Sequence, residues 1–349
     1  MLVFTGGHHT SALEVAKSLQ KQGYFIIWFG HRHSMWGDQA NSAEYLEVTS
    51  QGVPFYDLQA GKFYHTFHPL KLLRLPWGFI QAFYWLAKIH PKGIVSFGGY
   101  LAVPTVICGW LLGIPSITHE QTPVFGWANS LIALFVKKIA LTWPQSLSHY
   151  PKSKAVLTGL PIRPEILKIA KNKLSTSHLA LRTIYITGGK QGSHILNQTV
   201  FDSRDRLLSD YKIIHQTGSH SHVSDFETAA SIRHSSYSYF DYDSQKAVQA
   251  LRSADVVVSR AGAHTTYELG LLGKRCVLIP LPYTSNDEQI ANAKILESAN
   301  LAVILPQEQL QSDSLISAIE SAMKLNPVKL NLPKDGLERL VQLIKQELA

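Results

Sequence analysis

Hydrophobic residues along the chain are grouped into short continuous runs, and the segments between these runs place apolar residues at helical spacing. Continuous apolar runs between helical segments are typical of parallel β-strands that are buried on both faces of a sheet. The pattern therefore predicts an α/β protein in which strands and helices alternate. The predicted strands cover residues 1–4, 25–29, 93–97, 116–119, 138–142, 183–187, 211–216, 255–259 and 275–280.

One unit of this pattern, a strand followed by a glycine turn and a helix, occurs in both halves of the chain. The first copy contains Gly6 and Gly7, and the second contains Gly188, Gly189 and Gly192. Two such copies predict two doubly wound, Rossmann-like domains, each with a parallel sheet. Ligands of open parallel sheets bind at the carboxyl ends of the strands, so the cleft between two such domains is the expected site.

Prolines interrupt regular structure near residues 158–166 and indicate the join between the domains. We expect an N-terminal domain over residues 1–160 and a C-terminal domain over residues 161–330. Residues 331–349 follow as a separate stretch. Apolar residues there share one face of a predicted helix, and they are Leu337, Leu340, Val341 and Ile344.

Composition narrows the class of protein. The 349 residues include 33 Lys and Arg and 25 Asp and Glu, which gives a net charge of +8. Residues 1–160 contain 12 of the basic and 6 of the acidic residues, so they supply +6 of this charge. No long basic run accompanies this charge, so no nucleic-acid partner is expected. Cys108 and Cys276 are the only cysteines in the sequence, so a disulfide framework is excluded and a reducing cytoplasm is the expected compartment. The first residues run directly into a strand, so no signal peptide is expected.

A broken apolar segment occupies residues 70–87 and is too short to span a bilayer. One interpretation is a core helix that is packed on all sides. The other is a helix with one face on its domain and the other on a membrane, where nearby basic residues attract anionic head groups. The residues expected to contact that membrane are Leu72, Leu75, Trp77, Phe79 and Trp85.

Glycine turns after strands let backbone N–H groups approach an anion, and the helix that follows adds its positive end. Lys190 adds a charge to the turn of the second half, and a third turn contains Gly98 and Gly99. A tight structural turn is the alternative for each of them. The Asp241-Tyr242-Asp243 string favours a solvated loop over a metal site, and the dispersed histidines form no metal motif.

The segment 259–273 combines a strand end with the start of a helix. Arg260 and Gly262 open it, which suits a diphosphate, and Glu268 one turn later can accept two ribose hydroxyls. The alternative is an ordinary helix start with Glu268 on a solvated face.

Several motifs together resemble a known family. They are TGGHH, SALEVA, SFGGY, HEQT, GLPIR, GGKQGSHILNQ, ADVVVSRAGAHTTYELGLLGK and NDEQIANA. Their order and spacing are similar to those of the MurG family, GT-B glycosyltransferases that add N-acetylglucosamine to undecaprenyl-pyrophosphoryl-N-acetylmuramoyl-pentapeptide. The resemblance covers about residues 1–325. It implies a GT-B fold of two Rossmann-like domains facing across a cleft, and a C-terminal helix that packs back on the N-terminal domain.

The resemblance further implies an inverting, metal-independent hexosyltransferase without a cofactor. Its partners would be UDP-N-acetylglucosamine, the undecaprenyl-linked muramoyl-pentapeptide (lipid I, converted to lipid II in peptidoglycan synthesis) and an anionic membrane surface. It would lie peripherally on the cytoplasmic face of the bacterial plasma membrane. Three alternatives stay open: a GT-B enzyme with another lipid acceptor, an enzyme similar to UDP-N-acetylglucosamine 2-epimerase, and a UDP-sugar-binding protein without catalysis.

The resemblance also assigns residues. His8 is the favoured general base, because an imidazole titrates near neutrality, and Glu120 is the second candidate. Gly98, Gly99 and Tyr100 match the loop that holds the acceptor diphosphate. The implied donor-binding residues are Thr5, Gly6, Gly7, Thr122, Arg163, Gly188, Gly189, Lys190, Gln191, Gly192, Arg260, Gly262, Ala263, His264, Thr265, Glu268 and Gln289.

Within the donor set, Glu268 is expected on the ribose hydroxyls and Gln289 on the sugar hydroxyls. Several positions depart from the family pattern. Val3 and Phe4 stand where the family has glycines, Ser11 where it has proline, and His264 where it has an apolar residue. Thr122 and Leu160 each stand where the family has asparagine, and Lys190 stands where it has serine. We therefore expect donor affinity and fine sugar recognition to differ from those of the family.

Overall fold

The computed structural model describes residues 1–33, 41–60, 74–124, 126–171, 181–219, 223–283 and 287–348. The chain divides into two compact units. Unit 1 comprises Met1–Ile162 and Pro333–Ala349, and unit 2 comprises Arg163–Leu332. Each unit contains one parallel sheet with helices in the connections. The predicted α/β class with two Rossmann-like parallel sheets is confirmed.

The sheet of unit 1 has seven strands in the order β3-β2-β1-β4-β5-β6-β7. The strand order reverses between β1 and β4, and ligands of such sheets bind outside the carboxyl ends of the strands at this point. The strands are β1 (Leu2–Thr5), β2 (Ile26–Gly30), β3 (Phe55–Asp57), β4 (Gly93–Ser96), β5 (Ser116–Glu120), β6 (Lys138–Leu141) and β7 (Ala155–Leu157).

Both faces of this sheet are buried. Successive side chains of a strand point to opposite sides, so one strand can contribute to both hydrophobic clusters. In β1, Leu2 and Phe4 enter one hydrophobic cluster and Val3 enters the other. Helices cover both clusters. The helices of unit 1 are α1 (His9–Gln20), α2 (Ala43–Ser50), α3 (Arg74–Ile89), α4 (Ala102–Leu111), α5 (Trp127–Phe135) and, at the C-terminal end, α14 (Gly336–Leu348).

Helix α14 is part of unit 1, although it follows unit 2 in the sequence. Leu340, Val341 and Ile344 are buried in the cluster that α1 also covers, and Leu337 packs against it. These side chains recur every three or four residues and so form one face of the helix.

Helix α3 is apolar on both faces, but only one face is buried. Phe79 and Trp85 are partly buried and pack against the cluster, so of the five predicted contacts only Trp77 is seen on the exposed face. Leu72 lies outside the described residues, as does the side chain of Leu75. The interpretation as a core helix packed on all sides is wrong, because α3 exposes Trp77, Ile80, Phe83 and Tyr84. None of the helices described combines the length and hydropathy needed to cross a bilayer.

The sheet of unit 2 has six strands in the order β10-β9-β8-β11-β12-β13, and the order reverses between β8 and β11. Its strands are β8 (Arg182–Thr187), β9 (Tyr211–Gln216), β10 (Tyr237–Phe240), β11 (Val256–Ser259), β12 (Arg275–Leu278) and β13 (Ala302–Ile304). Its helices are α6 (Pro164–Lys171), α7 (His194–Asp202), α8 (Arg204–Asp210), α9 (Val223–Ser231), α10 (Ser244–Ser253), α11 (Ala263–Leu272), α12 (Glu288–Ser298) and α13 (Ser312–Met323).

Candidate active site

The two glycine turns of unit 1 lie side by side after β1 and β4, at the point where the strand order reverses. Phe97 N donates a hydrogen bond to Thr5 O at 2.7 Å, and Gly7 N donates to Gly98 O at 3.0 Å. Gly6 has a φ of +134°, and a Cβ there would lie 2.7 Å from the backbone of Phe97. The turns need glycine because the two backbones touch.

His8 follows these turns and immediately precedes α1. Burial lowers the pKa of His8 below its ordinary value of 6.5, and the nearby Glu120 carboxylate acts in the opposite direction. The lowered pKa leaves the imidazole neutral at pH 7, which is the form that a general base requires. Burial and the charge of Glu44 raise the pKa of Tyr100, after the second turn, to about 12. Tyr100 therefore keeps its proton.

The Glu120 carboxylate is buried and accepts hydrogen bonds at both oxygens. Oε1 accepts from Thr122 N at 3.0 Å and from the Thr122 hydroxyl at 2.9 Å. Oε2 accepts from Asn129 Nδ2 and from the Tyr150 hydroxyl, the latter at 3.2 Å. The Thr122 hydroxyl has one hydrogen, which it shares between Glu120 and Val124 O, so three donors hold the carboxylate outright. The Glu120 carboxylate is thus fixed in place near His8, and the assignment of either residue as the base stays a prediction.

Thr122 belongs to the interior of unit 1 and is only 5% exposed. Its hydroxyl donates to Glu120, and its assignment to the donor set stays a prediction. Asn129 and Tyr150, the other residues that hold Glu120, stand 9 and 30 residues from it in the sequence and were not predicted. Leu160 is fully buried, which explains an apolar residue at that position.

The glycine turn of unit 2 is held from two neighbouring strands. Gly189 N donates to Thr187 Oγ1 at 3.0 Å, and Gln216 Nε2 donates to Gly189 O at 2.8 Å. A Cβ on Gly218, after β9, would lie 2.2 Å from the backbone of Gly192. The turn is therefore packed backbone to backbone against the neighbouring strand connection.

Arg260, after β11, ties this turn to two further segments. Its Nη2 donates to Ser193 Oγ and to Gln307 Oε1, each at 2.7 Å, and its Nη1 donates to Ile279 O at 3.2 Å. Arg260 is 8% exposed, and burial lowers its pKa to about 10, so the guanidinium stays charged at pH 7. These three acceptors are neutral. The arrangement brings a positive charge to the residue that precedes α7.

Glu268 and Arg163 form an ion pair in unit 2. Arg163 Nη2 lies 3.3 Å from each oxygen of the Glu268 carboxylate, and Nη1 donates to Ser244 Oγ at 3.0 Å. Burial raises the pKa of Glu268, and the charge of Arg163 opposes this shift. Glu268 is 7% exposed, so the alternative of a solvated face is wrong. Each carboxylate oxygen has a second lone pair for a further donor.

The start of α11 lies at the carboxyl end of β11, as predicted for the segment 259–273. Gly262 precedes the helix, and residues 262–265 are partly exposed. The side chain of Thr266 folds back to the Gly262 carbonyl oxygen at 2.9 Å. The other predicted residues of this turn are Ala263, His264 and Thr265.

Two further predicted donor residues have partners within unit 2. Gln289 is 8% exposed, and its Oε1 accepts from Leu281 N at 3.0 Å, which leaves its amide N–H groups for a ligand. Lys190 Nζ lies 5.3 Å from the centre of the Tyr242 ring, and burial lowers the pKa of Lys190. Gln191 is the exposed residue of the turn.

Asp243 of the Asp241-Tyr242-Asp243 string has a structural role. Asp243 Oδ1 accepts from Gln245 N at 2.8 Å and from Lys246 N at 2.9 Å, so Asp243 is the N-cap of α10. Within the part of the chain that the structure describes, no group of three or more His, Cys, Asp or Glu side chains is arranged to hold a metal ion.

The predicted residues thus fall into two sets, one in each unit. The unit 1 set is Thr5, Gly6, Gly7, His8, Gly98, Gly99, Tyr100, Glu120 and Thr122. The unit 2 set contains Arg163, the turn at 188–192, the segment 260–268 and Gln289.

Comparison with known proteins gives matches over both units. Residues 3–141 match the Glycosyltransferase family 28 N-terminal domain, and residues 183–346 match the Glycosyltransferase family 28 C-terminal domain. The chain is 31% identical to a Bacillus cereus protein named UDP-N-acetylglucosamine–N-acetylmuramyl-(pentapeptide) pyrophosphoryl-undecaprenol N-acetylglucosamine transferase 2, with 100% of this chain and 99% of the relative covered. A Clostridium perfringens transferase of that name, without the final numeral, is 29% identical, with 99% and 98% covered.

Solved structures share the fold. The crystal structure of Acinetobacter baumannii MurG has a TM-score of 0.73 at 24% identity, with 99% of each chain covered. The Neisseria meningitidis UDP-GlcNAc 2-epimerase bound to UDP-GlcNAc has a TM-score of 0.58 at 12% identity, with 99% of this chain and 100% of that chain covered. At these identities the likeness shows the fold alone.

Proposed function

Because the chain belongs to glycosyltransferase family 28 and within it to the MurG family, we propose that it transfers N-acetylglucosamine from UDP-N-acetylglucosamine to undecaprenyl-pyrophosphoryl-N-acetylmuramoyl-pentapeptide. This reaction converts lipid I to lipid II in peptidoglycan synthesis. The observation that carries the proposal is the similarity to transferases of that name over the whole chain, which includes both sets of glycine turns.

Unit 2 binds the donor. The turn at 188–192 and the start of α7 hold the diphosphate, because the backbone N–H groups at a helix start and the positive end of the helix attract anions. The second lone pairs of the Glu268 carboxylate accept the ribose hydroxyls. Gln289 donates from its amide nitrogen to a sugar hydroxyl.

Unit 1 activates the acceptor. His8 removes the proton of the acceptor hydroxyl as its oxygen forms a bond to the anomeric carbon of the donor sugar. The bond from that carbon to the UDP oxygen breaks, UDP leaves as an anion, and the proton on His8 passes to solvent. A single displacement converts an α-linked donor into a β-linked product.

Protein groups stabilise the charge of the leaving UDP, so the reaction needs no metal. Backbone amides, the positive end of α7 and a fixed cation act where negative charge develops. Lys190 supplies that cation at the turn, and Arg260 adds a buried positive charge beside Ser193.

We further propose that unit 1 binds the anionic cytoplasmic surface of the membrane that carries the acceptor. Helices α3, α4 and α5 are neighbours and expose large apolar side chains that a monomeric surface rarely presents together. Lys88 lies at the end of α3, where a cation attracts anionic head groups. The exposed side chains are Trp77, Ile80, Phe83 and Tyr84 of α3, Trp110 and Leu111 of α4, and Trp127 and Leu134 of α5.

The decisive experiment is an incubation with UDP-N-acetylglucosamine and EDTA, with and without the lipid-linked muramoyl-pentapeptide. Release of UDP that depends on the acceptor, together with a lipid-linked disaccharide product, supports the proposal. Formation of UDP-N-acetylmannosamine, or of free N-acetylmannosamine and UDP by hydrolysis, without the acceptor indicates an epimerase instead. Binding of the nucleotide sugar without either product indicates a protein that has lost catalysis.

The base is tested by His8→Ala, which should lower turnover by about 10²-fold, within the range for general base catalysis. His149→Ala, at an exposed histidine of the same unit, is the matched control and should keep normal turnover. Near-normal turnover of the His8 variant would remove His8 from the role.

The membrane contact is tested with vesicles of phosphatidylglycerol and phosphatidylethanolamine. The double variant Ile80→Glu, Phe83→Glu should bind them at least about tenfold more weakly, because each apolar side chain contributes about 1.5–3 kcal/mol when buried. Leu46→Glu, at an exposed leucine of α2, is the control and should bind normally. Equal binding by the double variant and the control contradicts the proposed surface.

A further inference from the structure

A buried carboxylate holds the first turn of the helix that follows the glycine turn of unit 2. Asp225, in α9, is fully buried. It accepts hydrogen bonds from His194 Nδ1 at 2.8 Å, from Asn197 Nδ2 at 2.8 Å and from Gln198 Nε2 at 3.1 Å. These three donors lie on one face of α7, because they are three and four residues apart. One side chain therefore fixes the beginning of the helix.

The same contacts reach the glycine turn through the segment after β9. Asn197 Nδ2 also donates to Thr217 O at 3.0 Å, and Asn197 Oδ1 accepts from His215 Nε2 at 3.1 Å. The residue after Thr217 is Gly218, whose backbone packs directly against Gly192. A displacement of the first turn of α7 is therefore transmitted to the turn at 188–192.

We propose that Asp225 is a positioning residue for the donor diphosphate. It holds the first turn of α7 so that the backbone N–H groups of that helix start point at the phosphate oxygens. This inference rests on the proposed donor site in unit 2. Apolar packing would join α7 and α9 at a lower desolvation cost, but only directional hydrogen bonds fix the orientation of the helix start.

The charge of Asp225 and its positioning effect predict opposite results. A carboxylate close to a diphosphate repels it, so charge alone predicts that Asp225→Asn binds UDP more tightly. Positioning predicts weaker binding, because asparagine cannot accept from all three donors at once. The sign of the change in affinity therefore distinguishes the two effects.

The test measures binding of UDP and of uridine by calorimetry and competition. Asp225→Asn should raise the Kd for UDP and the KM for UDP-N-acetylglucosamine by about tenfold, because small misplacements of binding groups are costly. The Kd for uridine, which carries no phosphate, should stay unchanged, and kcat should change much less than KM. Unchanged or tighter UDP binding, or an equal loss for uridine, would overturn the inference.

Two variants of His194 distinguish a role in positioning α7 from a direct contact between the imidazole and the ligand. They also keep the test valid if the Asp225 variant does not fold. The His194 side chain is 46% exposed, so its replacement should preserve the fold. His194→Asn keeps a donor at the position of Nδ1 and should bind UDP nearly as the natural chain does, whereas His194→Leu should weaken binding. Equal losses in both variants would mean that the imidazole itself contacts the ligand and would refute the positioning role.

A second carboxylate, partly buried, provides the control. Asp255 lies at the opposite end of the same sheet, where its Oδ2 accepts from Thr183 N at 2.8 Å. Asp255→Asn should leave UDP binding unchanged, and thermal unfolding of every variant reports on folding. If the natural chain itself does not bind UDP, the proposed function fails, and the positioning role of Asp225 fails with it. Loss of UDP binding in Asp255→Asn to the same extent as in Asp225→Asn would overturn the positioning role alone.

Discussion

Replacement of Glu268 by alanine tests the proposed ribose recognition. Arg163 Nη2 lies 3.3 Å from each Glu268 oxygen, longer than the about 2.7–2.9 Å of a strong charge-assisted hydrogen bond. The pair therefore leaves the carboxylate able to accept two ribose hydroxyls. Because Glu268 is buried, water competes little for those hydrogen bonds.

The expected loss follows from these two hydrogen bonds. A hydrogen bond to a charged group contributes about 1.5–3 kcal/mol, so two contribute about 3 kcal/mol at the lower limit. With about 1.4 kcal/mol for each tenfold change, the Kd for UDP and the KM for UDP-N-acetylglucosamine should rise by about 10²-fold. Turnover should fall much less, because the ribose contact is equally strong in the ground state and the transition state.

Loss of the carboxylate should not unfold the unit. Arg163 keeps its hydrogen bond to Ser244 Oγ, and its side chain is 25% exposed, so water can solvate the guanidinium when its partner is removed. Glu320→Ala, at an exposed glutamate of α13, is the matched control for loss of a carboxylate in unit 2. Thermal unfolding of both variants measures any change in stability.

The assay combines steady-state kinetics of UDP release in EDTA with calorimetry of UDP and 2′-deoxy-UDP. The natural chain should bind UDP more tightly than the deoxy analogue, and the Glu268→Ala variant should bind both alike. An unchanged KM, or a variant that still distinguishes the two nucleotides, would refute the ribose assignment.

Two further predictions concern unit 1. Glu120→Gln removes the negative charge that raises the pKa of His8, so the acid limb of the pH dependence of kcat/KM should move to lower pH; an unchanged limb would show that His8 does not set it. Gly6→Ala should lower the free energy of unfolding by about 1–3 kcal/mol, because alanine is strained at a φ of +134° and its Cβ meets the backbone of Phe97. Thermal denaturation measures this loss, and a Tm equal to that of the natural chain would contradict it.

The strands inside both sheets could be predicted from the sequence, and the strands at the edges could not. Each run predicted as a strand corresponds to an interior strand, which pairs with a neighbour on both sides. The four edge strands are β3, β7, β10 and β13, and each contains partly exposed residues. Three of them, β3, β7 and β13, are only three residues long, so even the apolar runs of β7 and β13 are too short to show a periodic pattern.

The site could be predicted only where glycine turns and helix starts mark the carboxyl ends of strands. Such turns have a local sequence signal, because the backbone conformation requires glycine. Hydrogen-bond partners have no such signal. Tyr150 holds Glu120 from 30 residues away, and Asp225 holds His194 from 31 residues away. The sequence could therefore not predict which side chains donate hydrogen bonds to the Glu120 carboxylate.

The departures from the family pattern at Thr122, Leu160 and Lys190 have different consequences. Thr122 still gives a donor to Glu120 from inside unit 1, and Leu160 is fully buried, so both changes are accommodated by the interior of the unit. Lys190 differs, because its ammonium group lies on the donor-site turn, over the Tyr242 ring. Desolvation already lowers its pKa, and a bound diphosphate would favour its charged form again. Of these three changes, Lys190 is therefore the one that we expect to alter donor affinity.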